Sequence, residues 1–331
     1  MHICMVMAGD EEGGLEKHVI EMANGLVQQG QQVTLIAHAK YASRVKGVTF
    51  KSVDLTKSRK NPFLLWQLYR LIKQIKPDVL HVHANKAVAM IAPLLKWLDV
   101  PSIATLHNLK RNIQSFEKFD RVIAVSQRVA KQFKKQDAIR VVFNGVHSPN
   151  TYLNRPSSTQ PLQAIAIGRL VPAKGLDLLV EAWQGIDANL WIVGDGPDKL
   201  LLESKIQQLS LSEKIQLLGH RDDINDLLQQ ADFLVISSRN EGGPYTLSEA
   251  LLQHRPVIST DVGMVPEVLP ATLMCAANDV TALHQLIETH VKNFAALKQQ
   301  SEDIYIFAQQ QLTIDAMIQN TLQVYRELIN V

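Results

Sequence analysis

The chain has 331 residues, 46% of them hydrophobic and 20% charged, and a formal net charge of +2. That length is long for one core and natural for two. With only Cys4 and Cys275, and no run near the roughly 18 apolar residues a membrane span requires, the composition excludes a disulfide scaffold, a cysteine metal centre and a spanning helix.

The N-terminus, Met1-His2-Ile3-Cys4, starts directly on a strand and soon meets Asp10, Glu11 and Glu12. It has neither the charged lead nor the apolar length of a signal peptide. In the first half the apolar pattern predicts strands near residues 2–7, 32–37, 48–53, 78–83, 101–106, 121–125 and 140–143. Between them, Asn61 to Ile75 reads as a helix that docks its apolar residues on a sheet. Lys57, Arg59 and Lys60 precede it, and Phe63, Trp66 and Tyr69 lie along it, so one aromatic edge is also a candidate for touching lipid. His81 and His83 alternate along one strand and face one layer, which reads as structural. His107 ends the strand Thr105-Leu106-His107; packed against a neighbouring loop, it too would be structural. Pro149, Asn150, Pro156 and Pro161 mark a linker rich in Pro, Ser, Thr and Asn.

In the second half strands are predicted near 163–167, 189–193, 215–218, 232–236, 256–259 and 272–275. Strands and helices alternate throughout, which implies parallel sheets with helices on both faces. The first of these strands runs into Gly168-Arg169 and then Lys174-Gly175, ahead of an apolar-periodic helix. Arg169 can fork two hydrogen bonds onto phosphate oxygens and Lys174 can add a point charge. The next ends in the tight turn Gly194-Asp195-Gly196-Pro197. The fourth leads into Glu241-Gly242-Gly243-Pro244-Tyr245-Thr246-Leu247-Ser248-Glu249, a glycine turn that opens a helix. The amides following Gly243, Thr246 and Leu247 among them, form an anion site, because a helix N-terminus leaves its first N–H groups unbonded. Pro244 fits the first helical turn. Glu241 and Glu249 would then bind hydroxyls on either side of a held phosphate, which is the shape of a nucleotide-sugar. A final helix, Ile314 to Ile329, spaces Ile314, Met317, Ile318, Leu322, Tyr325 and Leu328 on one face.

The near-neutral total hides a split. Residues 1–160 hold 23 Lys+Arg against 11 Asp+Glu, a net of +12; the remainder holds 11 against 21, a net of −10. Such a split speaks of partners. A basic half suits an anionic membrane surface or a charged acceptor, and no nucleic-acid motif accompanies it.

This ordered set, Gly168-Arg169 with Lys174-Gly175, then Gly194-Asp195-Gly196-Pro197, then Glu241 and Glu249, resembles the donor-binding half of GT-B glycosyltransferases of family 4. The likeness extends to Gly13-Gly14-Leu15-Glu16, Lys76-Pro77-Asp78, Thr105-Leu106-His107 and Phe143-Asn144-Gly145-Val146, and so covers almost the whole chain. It implies a GT-B fold, two Rossmann-like doubly wound domains facing across a cleft: an acceptor domain over 1–155, a donor domain over 156–312, and a terminal helix over 313–331 crossing back. It implies a retaining, nucleotide-sugar-dependent transferase in which Arg169, Lys174, Gly13, Gly14, Gly194, Gly243, Thr246 and Leu247 serve the donor diphosphate. Glu241 then binds the sugar, Glu249 the ribose, and His107 lies near the reaction centre. No Asp-x-Asp occurs, so no metal or other cofactor is expected. The expected partners are a nucleotide-sugar, UDP-sugar by preference, and a cell-envelope glycan or glycolipid acceptor such as lipopolysaccharide core. The expected location is the cytoplasm, with peripheral contact to an anionic membrane.

Two departures and three rivals bear on this reading. Gly243-Pro244 and Gly263-Met264-Val265 differ from the usual loop edges of such enzymes. A dinucleotide dehydrogenase would want Gly-x-Gly-x-x-Gly where Asp10, Glu11 and Glu12 stand. A sugar-nucleotide epimerase of the same architecture, or a non-catalytic sugar-nucleotide-binding partner, would share the donor loops but not need every charged residue.

Overall fold

In a computed structural model, residues 1–8, 14–148 and 161–329 are described. Contacts divide the chain into two units, Met1–Gly145 with Ile314–Val331, and Val146–Thr313. Most of the expected linker, and the 155/156 boundary, lie outside the described residues.

The first unit is built on a seven-stranded sheet: β1 (His2–Met7), β2 (Gln32–Ala37), β3 (Thr49–Ser52), β4 (Val79–His83), β5 (Ser102–Leu106), β6 (Arg121–Ala124) and β7 (Ile139–Val141). Every pairing is parallel and the spatial order is β3-β2-β1-β4-β5-β6-β7. The order reverses between β1 and β4. In doubly wound sheets, the crevice beyond the carboxyl ends of the strands at such a reversal receives ligands.

Both faces of this sheet are covered, which is why its strands read as nearly continuous apolar runs. Cys4, Val6, Leu80 and Val82 face one core, where helix α2 (Pro62–Ile75) inserts Leu64, Leu68 and Ile72. Asn61 caps α2 by accepting from the amides of Phe63 and Leu64. Ile3, Met5, Met7 and Val79 face the other core, made by α1 (Gly14–Gln28) and the terminal helix Ile314–Ile329. The terminal helix lies so close to α1 that a Cβ at Gly25 would stand 1.9 Å from Ile318 Cδ1. It is also tied by Arg140 Nε to Glu327 Oε2 at 2.8 Å and by Tyr325 Oη to His81 Nδ1 at 2.6 Å. Thr105 Oγ1 holds the other ring nitrogen of His81 at 2.6 Å. His81 is thus a fully satisfied core histidine.

The second unit carries β8 (Leu162–Ile167), β9 (Ala188–Val193), β10 (Ile215–Gly219), β11 (Phe233–Ile236), β12 (Val257–Thr260) and β13 (Met274–Cys275). Their order is β10-β9-β8-β11-β12-β13, again all parallel, with the reversal between β8 and β11. Observed strand limits lie within one or two residues of the sequence expectation. Cys4 is buried, and burial pushes its thiol up to about 12; Cys275 is half-buried rather than enclosed. Among the described residues no helix is long and apolar enough to cross a membrane.

Replacing Tyr325 by Phe keeps the ring but leaves His81 Nδ1 buried without a partner. The expected loss is about 1–3 kcal/mol, the usual penalty for an orphaned buried polar atom. Urea unfolding reads it as a lower midpoint, and an unchanged midpoint contradicts the role given to this bond.

Candidate functional site

The two loops that leave the carboxyl ends of β8 and β11 flank the reversal point of the second sheet. They carry four of the predicted residues. Lys174 Nζ meets Glu241 Oε1 at 2.5 Å, with only 26% and 13% of the two side chains exposed. Ser238 Oγ donates to the same carboxylate oxygen at 2.9 Å, and Ser237 Oγ donates to the Lys174 carbonyl at 3.0 Å. Arg169 stands exposed on the first loop, and its guanidinium has no hydrogen-bonded or ionic partner among the described residues. Lys174, Glu241 and Thr246, with Ser237 and Ser238, line a small cavity floored by Ala166 and Ile236.

Glycine lets these loops approach. Gly175 has φ +61°, and a Cβ there would stand 2.2 Å from the Ser237 carbonyl oxygen. Gly194, at φ +143°, sits where a Cβ would lie 1.9 Å from the Gly168 carbonyl oxygen. Any side chain at either position would push the loops apart.

Arg239 and Asp177, which the sequence reading passed over, lock the same two loops together. Arg239 Nη1 and Nη2 bond the two Asp177 oxygens at 2.7 Å each, and Nη1 also donates to the Pro172 carbonyl at 2.6 Å. Its backbone amide reaches Ala173 O at 2.8 Å. The hydrogen-bonded guanidinium holds the Asp177 carboxyl below the ordinary carboxylate range. On the other flank, Thr260 Oγ1 donates to Ser238 O at 2.7 Å. Gly263, at φ +52°, leaves room that a Cβ would lose against Gly242 O at 2.4 Å. The altered sequence after Gly263 therefore retains the one residue that this approach demands. Met264 and Val265 are buried beneath it.

The helix that follows, Tyr245–Leu252, has Pro244 as its N-cap with φ −67° and ψ 121°, one position before the expected first turn. The Leu247 amide bonds the Pro244 carbonyl at 3.2 Å and its side chain is buried, so Leu247 serves the helix. Gly243 and Glu249 are half-buried, in the turn and on the helix.

Gly14 opens α1 in the first unit and is exposed, whereas Gly13 lies outside the described residues. His107 follows β5 and enters a cluster with His18 of α1 and His83 of β4. Its ring centroid is 4.8 Å from that of His18 and 5.8 Å from that of His83. Burial, with the neighbouring His18 and His81, holds His107 well below the usual histidine value; burial alone takes His18 down to about 4. His83, read as structural from its strand alternation, does lie beside His81, with centroids 4.0 Å apart and the rings tilted by 41°, yet neither of its ring nitrogens has a hydrogen-bond partner among the described residues. Sequence spacing gave no hint of His18, which lies 65 positions from His83 along the chain.

Known proteins match this geometry on both units. The model described as Glycosyltransferase Family 4 matches residues 12–148, and the model described as Glycosyl transferases group 1 matches residues 154–306. A glycosyltransferase of Methanocaldococcus jannaschii is 29% identical over 280 residues, 78% of each chain. The lipopolysaccharide core biosynthesis glycosyltransferase LpsE of Rhizobium meliloti is 24% identical over 267 residues, 76% of each. The crystal structure of Anabaena HepE in complex with UDP superposes with a TM-score of 0.84 at 18% identity, covering 99% of this chain and all of that one. That likeness establishes the GT-B fold.

Proposed function

This chain belongs to glycosyltransferase family 4 and is a glycosyltransferase, and on that premise we propose that it moves a hexose-type sugar, with retention, from a UDP-sugar to a cell-envelope glycan acceptor. The observation that carries the proposal is the Lys174–Glu241 pair at the reversal point of the second sheet, with Arg169, whose guanidinium has no partner among the described residues, on the same loop as Lys174. UDP in HepE and the lipopolysaccharide core assignment of LpsE support the choice of donor and acceptor class.

The difficult step is departure of the diphosphate, on which negative charge grows as the glycosidic bond breaks. Fixed cations placed where that charge develops are usually the largest catalytic contribution. Arg169 forks onto the phosphate oxygens and Lys174 adds a point charge, aided by the first amides of the helix after Pro244. Before the donor arrives, Glu241 balances Lys174. The diphosphate then takes the ammonium and the freed carboxylate accepts from sugar hydroxyls. Until the donor arrives, the pair thus leaves neither of its charges uncompensated in a half-buried site, where an unpartnered charge is costly. With two cations for the leaving group and no Asp-x-Asp in the sequence, the diphosphate requires no metal. Glu249 binds the ribose. Both glutamates serve hydroxyls, so neither is left to act as nucleophile. The leaving phosphate takes the acceptor proton on the same face of the sugar.

The first unit reaches an anionic, lipid-anchored acceptor through α2. Phe63 and Trp66 of this helix are exposed by 82% and 59% while Leu64, Leu68 and Ile72 are buried. Lys57, Arg59 and Lys60 are exposed just before it, and Arg70 lies over the Trp66 ring at 5.0 Å. Each such cation near an anionic leaflet contributes about 1 kcal/mol, an attraction that salt screens.

Three experiments test these assignments. Arg169→Ala and Lys174→Ala should each lower turnover by roughly 10²-fold or more at saturating acceptor. Glu249→Ala should weaken UDP binding in calorimetry, whereas Glu241→Ala should leave it intact or tighter while transfer fails. Full turnover in both cation variants, or equal UDP losses in the two glutamate variants, contradicts the roles. In vesicle sedimentation, binding should rise with anionic lipid, fall with salt, and vanish when Lys57, Arg59 and Lys60 are all reversed to Glu. Wild-type protein that ignores anionic vesicles at low salt removes the membrane contact.

A further inference from the structure

Five imidazole nitrogens in the first unit are buried without a hydrogen-bond partner among the described residues: both of His18, both of His83, and Nε2 of His107. Buried polar atoms are costly and almost always satisfied, so a group of them at one place points to a task. The three rings come from three separate elements. His83 closes β4, His107 follows β5, and His18 sits on α1, so they meet at the β1–β4 reversal, on the ligand-receiving edge of the sheet. His18 and His83 are buried, whereas His107 is half-buried. Nε2 is therefore the inner nitrogen of His107, and Nδ1 is the outer one, available at that edge.

We propose that His18 and His83 are positioning residues for His107, acting through one internal water that the three rings share and that fixes the tautomer His107 presents at its outer nitrogen. One nitrogen from each ring lies within 4.8 Å of the other two. The centre of a triangle of that side is about 2.8 Å from each corner, the length of a hydrogen bond to an oxygen. Water also matches the rings chemically. Burial keeps all three neutral at ordinary pH, so each carries one N–H and one lone pair. Three inner nitrogens then offer two lone pairs and one N–H, or the reverse. A water, with two hydrogens and two lone pairs, meets either set, and about three bonds is the usual number for an internal water. An anion would demand an N–H from every ring. The surroundings hold the rings in place. His83 lies against His81, which Tyr325 and Thr105 fix from both ends, and His18 meets His107 edge to face at 4.8 Å and 80°. The consequence falls on His107. A neutral imidazole has one proton for two nitrogens, so the bond made at Nε2 decides whether Nδ1 offers a proton or a lone pair. One shared oxygen still leaves a nitrogen over on each of His18 and His83. An apolar ring would cost the core less at either place, so packing alone does not account for them. The role rests on the reading in which His107 lies near the reaction centre, and it adds two residues to that reading.

Full-length protein labelled with nitrogen-15 histidine reports the state of each imidazole by NMR, because protonated and unprotonated ring nitrogens resonate far apart. Wild type should show His107 in a single neutral tautomer. His18→Phe and His83→Phe keep a ring and remove its polar atoms. Each should turn His107 into a mixture of tautomers and lower kcat by about tenfold or more, with the KM for donor and the affinity for UDP unchanged, because the diphosphate is assigned to the second unit. His83→Gln, which can still bond the water, should keep most of the wild-type rate. The Phe variants lose orphaned polar atoms, so their urea midpoints should not fall, which separates a loss of positioning from a loss of fold. His107→Ala separates the inference from the reading beneath it: full turnover in that variant removes the reading, and the positioning role with it. If His107→Ala is slow while the double variant His18→Phe/His83→Phe turns over at the full rate or keeps His107 in one tautomer, the inference alone is overturned. A mixture of His107 tautomers in the wild type overturns it as well, whatever the variants do.

Discussion

Lys174 and Glu241 form an ion pair whose two ends are brought together by a reversal in strand order. Parallel strands on either side of that reversal send their loops in opposite directions, and the gap left between the loops is where this architecture receives ligands. Lys174 stands on one loop and Glu241 on the other, 67 positions away in sequence. Holding an ammonium and a carboxylate in register, largely withdrawn from water, takes more than their mutual attraction. The two-pronged Arg239–Asp177 bond supplies the register, and the glycines at 175, 194 and 263 supply the close approach. The donor chemistry assigned to the second unit depends on this frame.

The first unit repeats the geometry with different contents. Its reversal point holds histidines where the second holds opposite charges. One of the neighbouring histidines, His81, is fully bonded by Tyr325 and Thr105 and acts as a fixed wall. The terminal helix, which supplies Tyr325, comes from more than 160 residues beyond the rest of its unit, so the histidine wall depends on the last part of the chain. The net +12 of residues 1–160 and the net −10 of the remainder run alongside the same proposed division of labour, basic where an acidic acceptor is proposed and acidic away from the few cations proposed to meet the donor.

Much of this was legible in the sequence because the signals are local. Strands buried on both faces must be apolar throughout, and all thirteen stood out within one or two residues. Gly168-Arg169, Lys174-Gly175 and Glu241-Gly242-Gly243 declared two strand-to-helix loops with charges at their tips. What stayed hidden is what depends on which loops are neighbours. Nothing local shows that Lys174 meets Glu241, or that Arg239 meets Asp177, although the opposite charges in the same two loops were a usable clue. His83 looked structural because its partner His81 is structural and strand alternation cannot tell a bonded imidazole from an unbonded one. His18 carried no signal, since side chains that meet from separate strands and helices have no fixed spacing. Leu247 is a further case: its amide meets the Pro244 carbonyl at 3.2 Å, a bond that the spacing of the helix start does not display.

The central claim is that the β8 and β11 loops hold the donor by its diphosphate. Equilibrium binding of uridine, UMP and UDP to the wild type and to Lys174→Ala tests it most directly, because the series adds one phosphate at a time. The account predicts a marked gain in affinity from UMP to UDP in the wild type, steep in salt, that largely collapses in Lys174→Ala while uridine binding stays the same. A gain of equal size in both proteins would place the diphosphate elsewhere and contradict the account.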